Sequence, residues 1–179
     1  IEGEYVGLTG QANCLECAAG TYTNETGLSA CVKCPLGRFQ GDLGKSVCKD
    51  CIPGTANEVL GQALCKDCVI GKAAAANKMT TCTPCVPGKS APVSNMVTCQ
   101  NCTAGSYTAD FGTGTCGQCP VGRFSAVGGL SECAACPPGF NQASPGQSVC
   151  TECLTSHYQA AEGKQLCDAC PGGTYGPTQ

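Results

Sequence analysis

The strongest constraint on this chain is the strict spacing of its cysteines. A Cys-x-x-Cys pair begins every seventeen residues, with no insertion or deletion, and the ten pairs account for all 20 cysteines. The pairs begin at Cys14, Cys31, Cys48, Cys65, Cys82, Cys99, Cys116, Cys133, Cys150 and Cys167. A fixed period of this kind is typical of a repeat array, in which each unit contacts the units beside it. We number each repeat from its first cysteine, so that the cysteines occupy positions 1 and 4.

This numbering defines the expected domain organisation. Residues 1–13 form a partial repeat, residues 14–166 form nine complete repeats, and residues 167–179 form a second partial repeat. We expect such a chain to be a segment of a longer array. A longer period is also present, because the motif at Cys34–Phe39 returns 85 residues later at Cys119–Phe124. It predicts a duplicated five-repeat block, with halves at 14–98 and 99–179.

The composition indicates that covalent bonds hold the fold. Cysteine supplies 20 of the 179 residues, a share above the range that marks disulfide scaffolds. The hydrophobic fraction of 42% consists largely of cysteine and alanine. A seventeen-residue unit cannot bury enough apolar surface to be stable alone. We therefore expect reduction of the cysteines to unfold the chain.

Glycine recurs at two further positions of the repeat. Position 7 is glycine except at Ser156, and position 14 is glycine except at Lys78 and Asn95. Glycine at a fixed position indicates a turn with positive φ or a close approach of backbone. The predicted fold class is a small disulfide-rich chain, mostly coil with short β-hairpins and little helix, arranged as an elongated linear array.

The cysteines could serve as zinc ligands, as a redox site or as structural disulfides. Their spacing suits zinc sites with four thiolate ligands, but the net charge of −3 and the lack of a basic nucleic-acid-binding face weigh against zinc. Ten equivalent pairs weigh against a thioredoxin-type redox site, which needs one exposed reactive pair. The glycosylation sequons at Asn24 and Asn101 suit a secreted chain. We predict disulfides, and neither a metal ion nor a cofactor.

The spacing leaves two disulfide connectivities open. One joins position 4 to position 1 of the next repeat, as in Cys17–Cys31, and leaves Cys14 and Cys170 to partners outside the chain. The other is a crossed pairing of like positions, which we favour because two bridges tie adjacent turns more rigidly than one. It joins Cys14–Cys31, Cys17–Cys34, Cys48–Cys65, Cys51–Cys68, Cys82–Cys99, Cys85–Cys102, Cys116–Cys133, Cys119–Cys136, Cys150–Cys167 and Cys153–Cys170.

Several motifs resemble those of a known family. Cys-Pro-x-Gly-Arg-Phe at Cys34–Phe39 and Cys-Ala-Ala-Gly-Thr-Tyr at Cys17–Tyr22 are similar to the ephrin-receptor-like cysteine-rich repeat. That family is related to EGF-like and tumour-necrosis-factor-receptor-like modules, so the resemblance implies small β-hairpins crossed by 1–3 and 2–4 disulfides. Such repeats serve in receptor stalks, surface antigens and flagellar-hair (mastigoneme-type) fibres. The chain departs from the motif at Ala56, Ala73 and Ser90, where the aromatic residue is missing.

Aromatic residues concentrate at position 9 of the repeat. In one interpretation each ring covers the disulfide of its own module, and in the other the rings form an exposed ladder that contacts glycans or a neighbouring chain. The contact ladder would comprise Tyr5, Tyr22, Phe39, Tyr107, Phe124, Tyr158 and Tyr175.

The distribution of charge and the lack of catalytic motifs narrow the function. Residues 48–98 hold five lysines against three acidic residues, whereas the rest of the chain holds five basic and ten acidic residues. We interpret this asymmetry as a solvated face of no functional consequence. The alternative is a lateral attraction between the middle of one rod and the ends of another, which salt would screen. His157 is the only histidine, so neither a Cys-His nor a Ser-His-Asp arrangement is available. We expect a protein that is not an enzyme.

The leading hypothesis is a structural repeat segment of an extracellular fibre or cell-surface rod. Its partners would be other copies of itself or other fibre and surface proteins. The alternative is the stalk or ligand-binding cysteine-rich region of a surface receptor, adhesin or surface antigen, with glycans among its ligands. Both hypotheses place the chain outside the cell, and neither involves nucleic acid or a membrane span within this segment.

Overall fold

A computed structural model describes residues 1–8, 10–11 and 13–172. In these residues every regular element is a two-residue β-strand, no helix occurs, and consecutive strands pair antiparallel into separate hairpins. The hairpins are β1 (Glu4–Tyr5) with β2 (Leu15–Glu16), β3 (Thr21–Tyr22) with β4 (Val32–Lys33), β5 (Arg38–Phe39) with β6 (Lys49–Asp50), β7 (Thr55–Ala56) with β8 (Lys66–Asp67), β9 (Lys72–Ala73) with β10 (Thr83–Pro84), β11 (Lys89–Ser90) with β12 (Gln100–Asn101), β13 (Ser106–Tyr107) with β14 (Gly117–Gln118), β15 (Arg123–Phe124) with β16 (Ala134–Ala135), β17 (Phe140–Asn141) with β18 (Thr151–Glu152), and β19 (His157–Tyr158) with β20 (Asp168–Ala169). The predicted class of disulfide-rich repeat with short hairpins is confirmed.

Each hairpin is shared between two repeats. Positions 8 and 9 of one repeat pair with positions 3 and 2 of the next, as in Thr21 opposite Lys33 and Tyr22 opposite Val32. The first strand follows the position-7 turn, and the second lies between the two cysteines of a Cys-x-x-Cys segment. The structural module is therefore offset from the repeat that the cysteines define in the sequence.

The two glycine positions adopt positive φ, as predicted. In the part of the chain that the structure describes, three non-glycine residues have positive φ: Lys78 at 61°, Asn95 at 63° and Ser156 at 67°. These are the same three residues that replace glycine at positions 7 and 14. The turn geometry is thus the same where a residue with a side chain replaces glycine, and the backbone of that residue adopts the left-handed region.

The prediction that the cysteines form disulfides is confirmed, but the favoured crossed pairing is wrong. The bridges join position 4 to position 1 of the next repeat, with Cα atoms 5.5–5.8 Å apart. They are Cys17–Cys31, Cys34–Cys48, Cys51–Cys65, Cys68–Cys82, Cys85–Cys99, Cys102–Cys116, Cys119–Cys133, Cys136–Cys150 and Cys153–Cys167. Among the residues that the structure describes, Cys14 and Cys170 have no disulfide partner.

The environment of the cysteines explains this pairing. Cys34 is fully buried, and its backbone is held on both sides, because its N–H donates to the carbonyl of Gly20 at 2.9 Å and its carbonyl accepts from Gly61 N–H at 2.8 Å. The loop that leaves this fixed point ends at Cys48. Each cysteine at position 4 is thus bonded to the cysteine at the far end of the loop that begins there.

The same hydrogen bonds bring every second repeat into contact. Gly20 and Gly61 bind opposite sides of the Cys34 backbone, and a Cβ added at Gly20 would overlap the carbonyl of Gly61. Position 7 of one repeat thus touches position 14 of the repeat after next. The expectation that a unit contacts only the repeats beside it is wrong, since the intervening Cys-x-x-Cys segment is thin enough for backbone to meet across it.

The interior consists of disulfides and small or polar side chains. Within the described residues, the buried apolar side chains are all cysteine or alanine. Position 10 supplies the other buried column: Thr23, Gln40, Asn57, Ala74, Ala91, Thr108, Ser125, Gln142 and Gln159. Gln40 shows how the polar members are satisfied, because its amide nitrogen donates to Val47 O at 2.7 Å and its amide oxygen accepts from Asp42 N–H at 3.0 Å. The side chain thus pairs the polar backbone of its own loop.

The chain divides into two compact units. The first comprises Ile1–Pro84 with Val93–Thr98, and the second comprises Cys85–Pro92 with Cys99–Gln179. Strands β1 to β10 belong to the first unit, and strands β11 to β20 belong to the second. The expected boundaries of the partial repeats and of the five-repeat block remain predictions.

Candidate functional site: a notch beside Ala56

The side chains at position 9 project from equivalent points of successive hairpins. In the described residues these side chains are Tyr5, Tyr22, Phe39, Ala56 and Ala73 in the first unit, and Ser90, Tyr107, Phe124, Asn141 and Tyr158 in the second. Of the rings predicted to form a contact ladder, Tyr158 is 45% exposed and five others are half-buried. Tyr175 lies outside the described residues. A role of these rings in contacting a ligand remains a prediction.

The side chain at position 9 lies beside the disulfide that begins in the following repeat. Ser90 Oγ lies 3.4 Å from Cys116 Sγ, which is bonded to Cys102. Ala56 and Cys82 stand in the same sequence relationship and line one cavity. A ring at this position is therefore placed to cover the following disulfide rather than the one in its own repeat.

A notch opens in the first unit where the ring is missing. It is a cavity of about 310 Å³, lined by Ala56, Glu58, Lys66, Asp67, Val69, Lys72, Thr80, Thr81 and Cys82. Ala56 is buried and lies opposite Lys66 across the hairpin, as Phe39 lies opposite Lys49 one repeat earlier. The side chain at this point is a methyl group instead of a ring, which leaves space over the Cys68–Cys82 bridge.

The notch carries charges of both signs at its rim. Lys66, Lys72, Glu58 and Asp67 are all exposed. The ion pairs found in the described residues involve other groups, with Arg38 Nε 2.6 Å from Asp50 Oδ1 and Lys49 Nζ 3.1 Å from Asp42 Oδ2. Within the described residues the four rim charges have no ion-pair partner, and Ala56, Val69 and Cys82 line the notch beside them.

The two sequons occupy different backbone settings. Asn24 is exposed in the bend of the loop between β3 and β4. Asn101 is also exposed, but it lies in β12 opposite Lys89, and the next residue is bridged to Cys116. Glycosylation of either residue remains a prediction.

Other chemistry-bearing groups are dispersed. In the described ranges, no cluster of three or more His, Cys, Asp and Glu side chains is placed to hold a metal ion. His157 is exposed, with Nδ1 3.3 Å from the carbonyl of Thr155. Within the same ranges, no helix is long and apolar enough to cross a bilayer.

Comparison with known families supports the resemblance read from the sequence. The family model described as tyrosine-protein kinase ephrin type A/B receptor-like matches residues 3–51, 88–127, 105–148 and 141–179. These ranges cover well over half of the chain. The chain belongs to this ephrin-receptor-like family. A search of curated proteins found no match.

The notch lies in a part of the chain that departs from the ephrin-receptor-like pattern. All of its lining residues fall between 52 and 87, outside the ranges that the family model matches.

The cysteine and glycine periods do not reveal the notch or the buried column at position 10. The loss of the aromatic residue at Ala56 was a signal for the first, and the lack of any charged residue at position 10 was a signal for the second.

Proposed function

We propose that this ephrin-receptor-like chain is a tension-resistant segment of an extracellular or cell-surface protein, and that it assembles with further copies of itself. The proposed role is mechanical and not catalytic. The observation that carries the proposal is a continuous covalent path from Cys14 to Cys170. It alternates three-residue Cys-x-x-Cys steps with nine disulfides, so that every loop is bypassed. Disulfides of this density are typical of oxidising, extracellular compartments.

The pairing determines how far such a chain can be stretched. One repeat of the bridged path contributes 5.7 Å across a disulfide such as Cys17–Cys31, plus about 10–11 Å for three extended residues. A reduced repeat extends to roughly 56–61 Å, because all seventeen residues carry the load. The crossed pairing would leave every second segment between cysteine pairs free to extend without any reduction. The observed pairing leaves no such segment along the path.

Single-molecule pulling between terminal peptide tags tests the mechanical role. We expect the oxidised chain to resist extension beyond about 16 Å per repeat, and each bridge cleaved by a thiol reductant to release a step of about 40–45 Å. A long extension of the fully oxidised chain before any reductant is added would contradict the proposal.

Exposed apolar side chains support assembly with further copies. Leu60, Leu64, Phe111 and Leu154 are each more than half exposed. A structure with its large apolar groups outside and disulfides inside offers surface for association rather than for a core. Sedimentation velocity of the oxidised protein tests this part of the proposal, since a sedimentation coefficient that does not rise with concentration would contradict it.

A second candidate function is the binding of a ligand by a receptor-type region. It is favoured by the family of the chain and by the notch beside Ala56. Binding of the oxidised chain to a glycan microarray tests it, with Ala56→Phe as the variant that fills the notch. Binding that is lost in this variant would favour the receptor-type role over the mechanical one.

A further inference from the structure

The notch beside Ala56 has the place and surroundings of an aromatic side chain that this repeat does not supply. Phe39 and Phe124 occupy the equivalent strand position in β5 and β15, each opposite position 2 of the next repeat. At Ala56 the same position holds a methyl group, and the cavity of about 310 Å³ lies beside it. A ring delivered from outside would cover the Cys68–Cys82 bridge, where other repeats have their own ring.

The second unit displays an aromatic ring suited to this place. Phe111 is 70% exposed, whereas the rings of Tyr107 and Phe124 are half-buried. We propose that Phe111 of one copy docks into the notch beside Ala56 of another copy. The proposal rests on the assembly part of the proposed function, and it names the two surfaces that meet.

The turn that carries Phe111 is braced in advance of binding. Gly112 N–H donates to the carbonyl of Cys85 at 2.8 Å, and Thr113 Oγ1 donates to the carbonyl of Asp110 at 3.0 Å. Thr108 Oγ1 donates in turn to Thr113 Oγ1 at 2.9 Å. A side chain held out by an ordered turn loses little conformational entropy on docking, which makes it an effective anchor.

Charge orients the docking. Asp110 precedes Phe111, and the rim of the notch offers Lys66 and Lys72, which have no acidic side chain within ion-pair distance among the described residues. Glu58 and Asp67 share the rim and repel the carboxylate of the incoming loop, so its attraction is to the two lysines alone. Residues 48–98 carry an excess of lysine and the rest of the chain carries an excess of acidic residues. This difference attracts the acidic part of one copy towards the notch region of another at longer range.

The two surfaces differ, so the contact is heterologous. Each copy has one donor loop around Phe111 and one acceptor notch around Ala56. Contacts of this kind propagate from copy to copy, and give a ring or an open filament depending on the rotation between copies. Blocking either surface in a copy should therefore stop growth without removing the other surface.

Sedimentation velocity of the oxidised chain and two variants tests the proposal. Phe111→Ala removes the donor, and Ala56→Phe fills the acceptor with a residue that β5 and β15 carry at the same position. We expect each variant alone to associate at least about tenfold more weakly than the unaltered chain. An equimolar mixture should form heterodimers and nothing larger, because each variant retains the surface that the other lacks.

Leu166→Ala is the matched control, since it removes a 62% exposed apolar side chain from the same unit as Phe111 and is not part of either proposed surface. It should associate like the unaltered chain. If Phe111→Ala associates as strongly as the unaltered chain, the proposed contact is overturned while assembly itself stands. If the unaltered chain stays monomeric, both the contact and the assembly are overturned, and the mechanical role is still decided by the pulling experiment.

A second measurement does not depend on the folding of Ala56→Phe. A synthetic peptide spanning residues 107–113 is titrated into ¹⁵N-labelled protein, with the same peptide carrying alanine in place of Phe111 as the control. We expect amide shifts centred on Ala56, Lys66 and Val69 with the first peptide alone, weakening as salt is raised. Equal shifts with both peptides, or shifts elsewhere on the chain, would overturn the proposal.

Discussion

Gly105 and Gly146 meet across two repeats, and a Cβ built on Gly105 would overlap the carbonyl oxygen of Gly146. Cys119 lies between them, donating its N–H to Gly105 O at 2.9 Å and accepting Gly146 N–H at 2.8 Å. The positive φ of Gly105, 80°, is a second reason for glycine at this point. Position 7 thus combines a local turn with a contact between distant repeats.

Gly105→Ala should destabilise the chain more than Gly139→Ala does. Both glycines have positive φ, 80° and 84°, but among the described residues nothing lies near a Cβ built on Gly139. The difference isolates the contact between repeats, and we expect it to be about 1–3 kcal/mol. Denaturant unfolding of the oxidised variants, followed by tyrosine fluorescence, measures it. Equal losses of stability would show that the turn alone requires glycine.

A non-reducing peptide map should identify the disulfide connectivity directly. Trypsin cuts after Lys33, Arg38, Lys45 and Lys49, so the observed pairing joins peptide 34–38 to peptide 46–49 through Cys34 and Cys48. Mass spectrometry of a digest prepared with free thiols blocked detects this linked pair. Peptide 34–38 linked instead to a peptide that contains Cys17 would restore the crossed pairing.

Gln40→Leu should weaken the loop between β5 and β6. The Gln40 amide pairs with backbone groups of Asp42 and Val47 while being 1% exposed, and leucine would leave both groups unpaired. We expect a loss of about 1–3 kcal/mol and faster hydrogen exchange of the Asp42 amide. Gln147→Leu is the control, because that side chain is exposed and makes one longer bond, 3.3 Å, to Pro145 O. Similar effects of the two variants would show that burial at position 10 is not what matters.

Reduction should unfold the chain at room temperature. The buried apolar side chains of the described residues are cysteine and alanine alone, so little hydrophobic free energy remains once the bridges open. Each bridge closes a loop whose ends are 14 residues apart, and in the chain-entropy model contributes on the order of 3 kcal/mol. The amide spectrum recorded before and after addition of a phosphine reductant measures this. A dispersed spectrum in the fully reduced sample would contradict the prediction.

Asn24 should be glycosylated more fully than Asn101 when the chain is secreted from eukaryotic cells. The loop around Asn24 is exposed and away from the cysteines, whereas Asn101 is paired in a hairpin next to bridged Cys102. Glycopeptide mapping measures the occupancy of both sites. Full occupancy of Asn101 with bare Asn24 would show that early bridging does not shield the second sequon.

Features set by short stretches of chain were predictable from the sequence. The positive φ at Lys78, Asn95 and Ser156 followed from the glycine period, because backbone sterics act within one residue. The disulfides followed from a repeat too small to hold an apolar core, and the short hairpins followed from its glycine turns. The family was also visible in local motifs, such as the one at Cys34–Phe39.

Features that depend on contacts between repeats were decided by the tertiary structure alone. Cys17 has two candidate partners at similar sequence separation, Cys31 and Cys34. The structure bonds it to Cys31, at the far end of the loop that begins at Cys17. The same holds for Gln40, whose burial follows from the stacking of loops, and for the notch at Ala56, which is a gap between neighbouring repeats of the first unit. The seventeen-residue period shows which residues each repeat contains. The hydrogen bonds between repeats determine which of those residues become the interior.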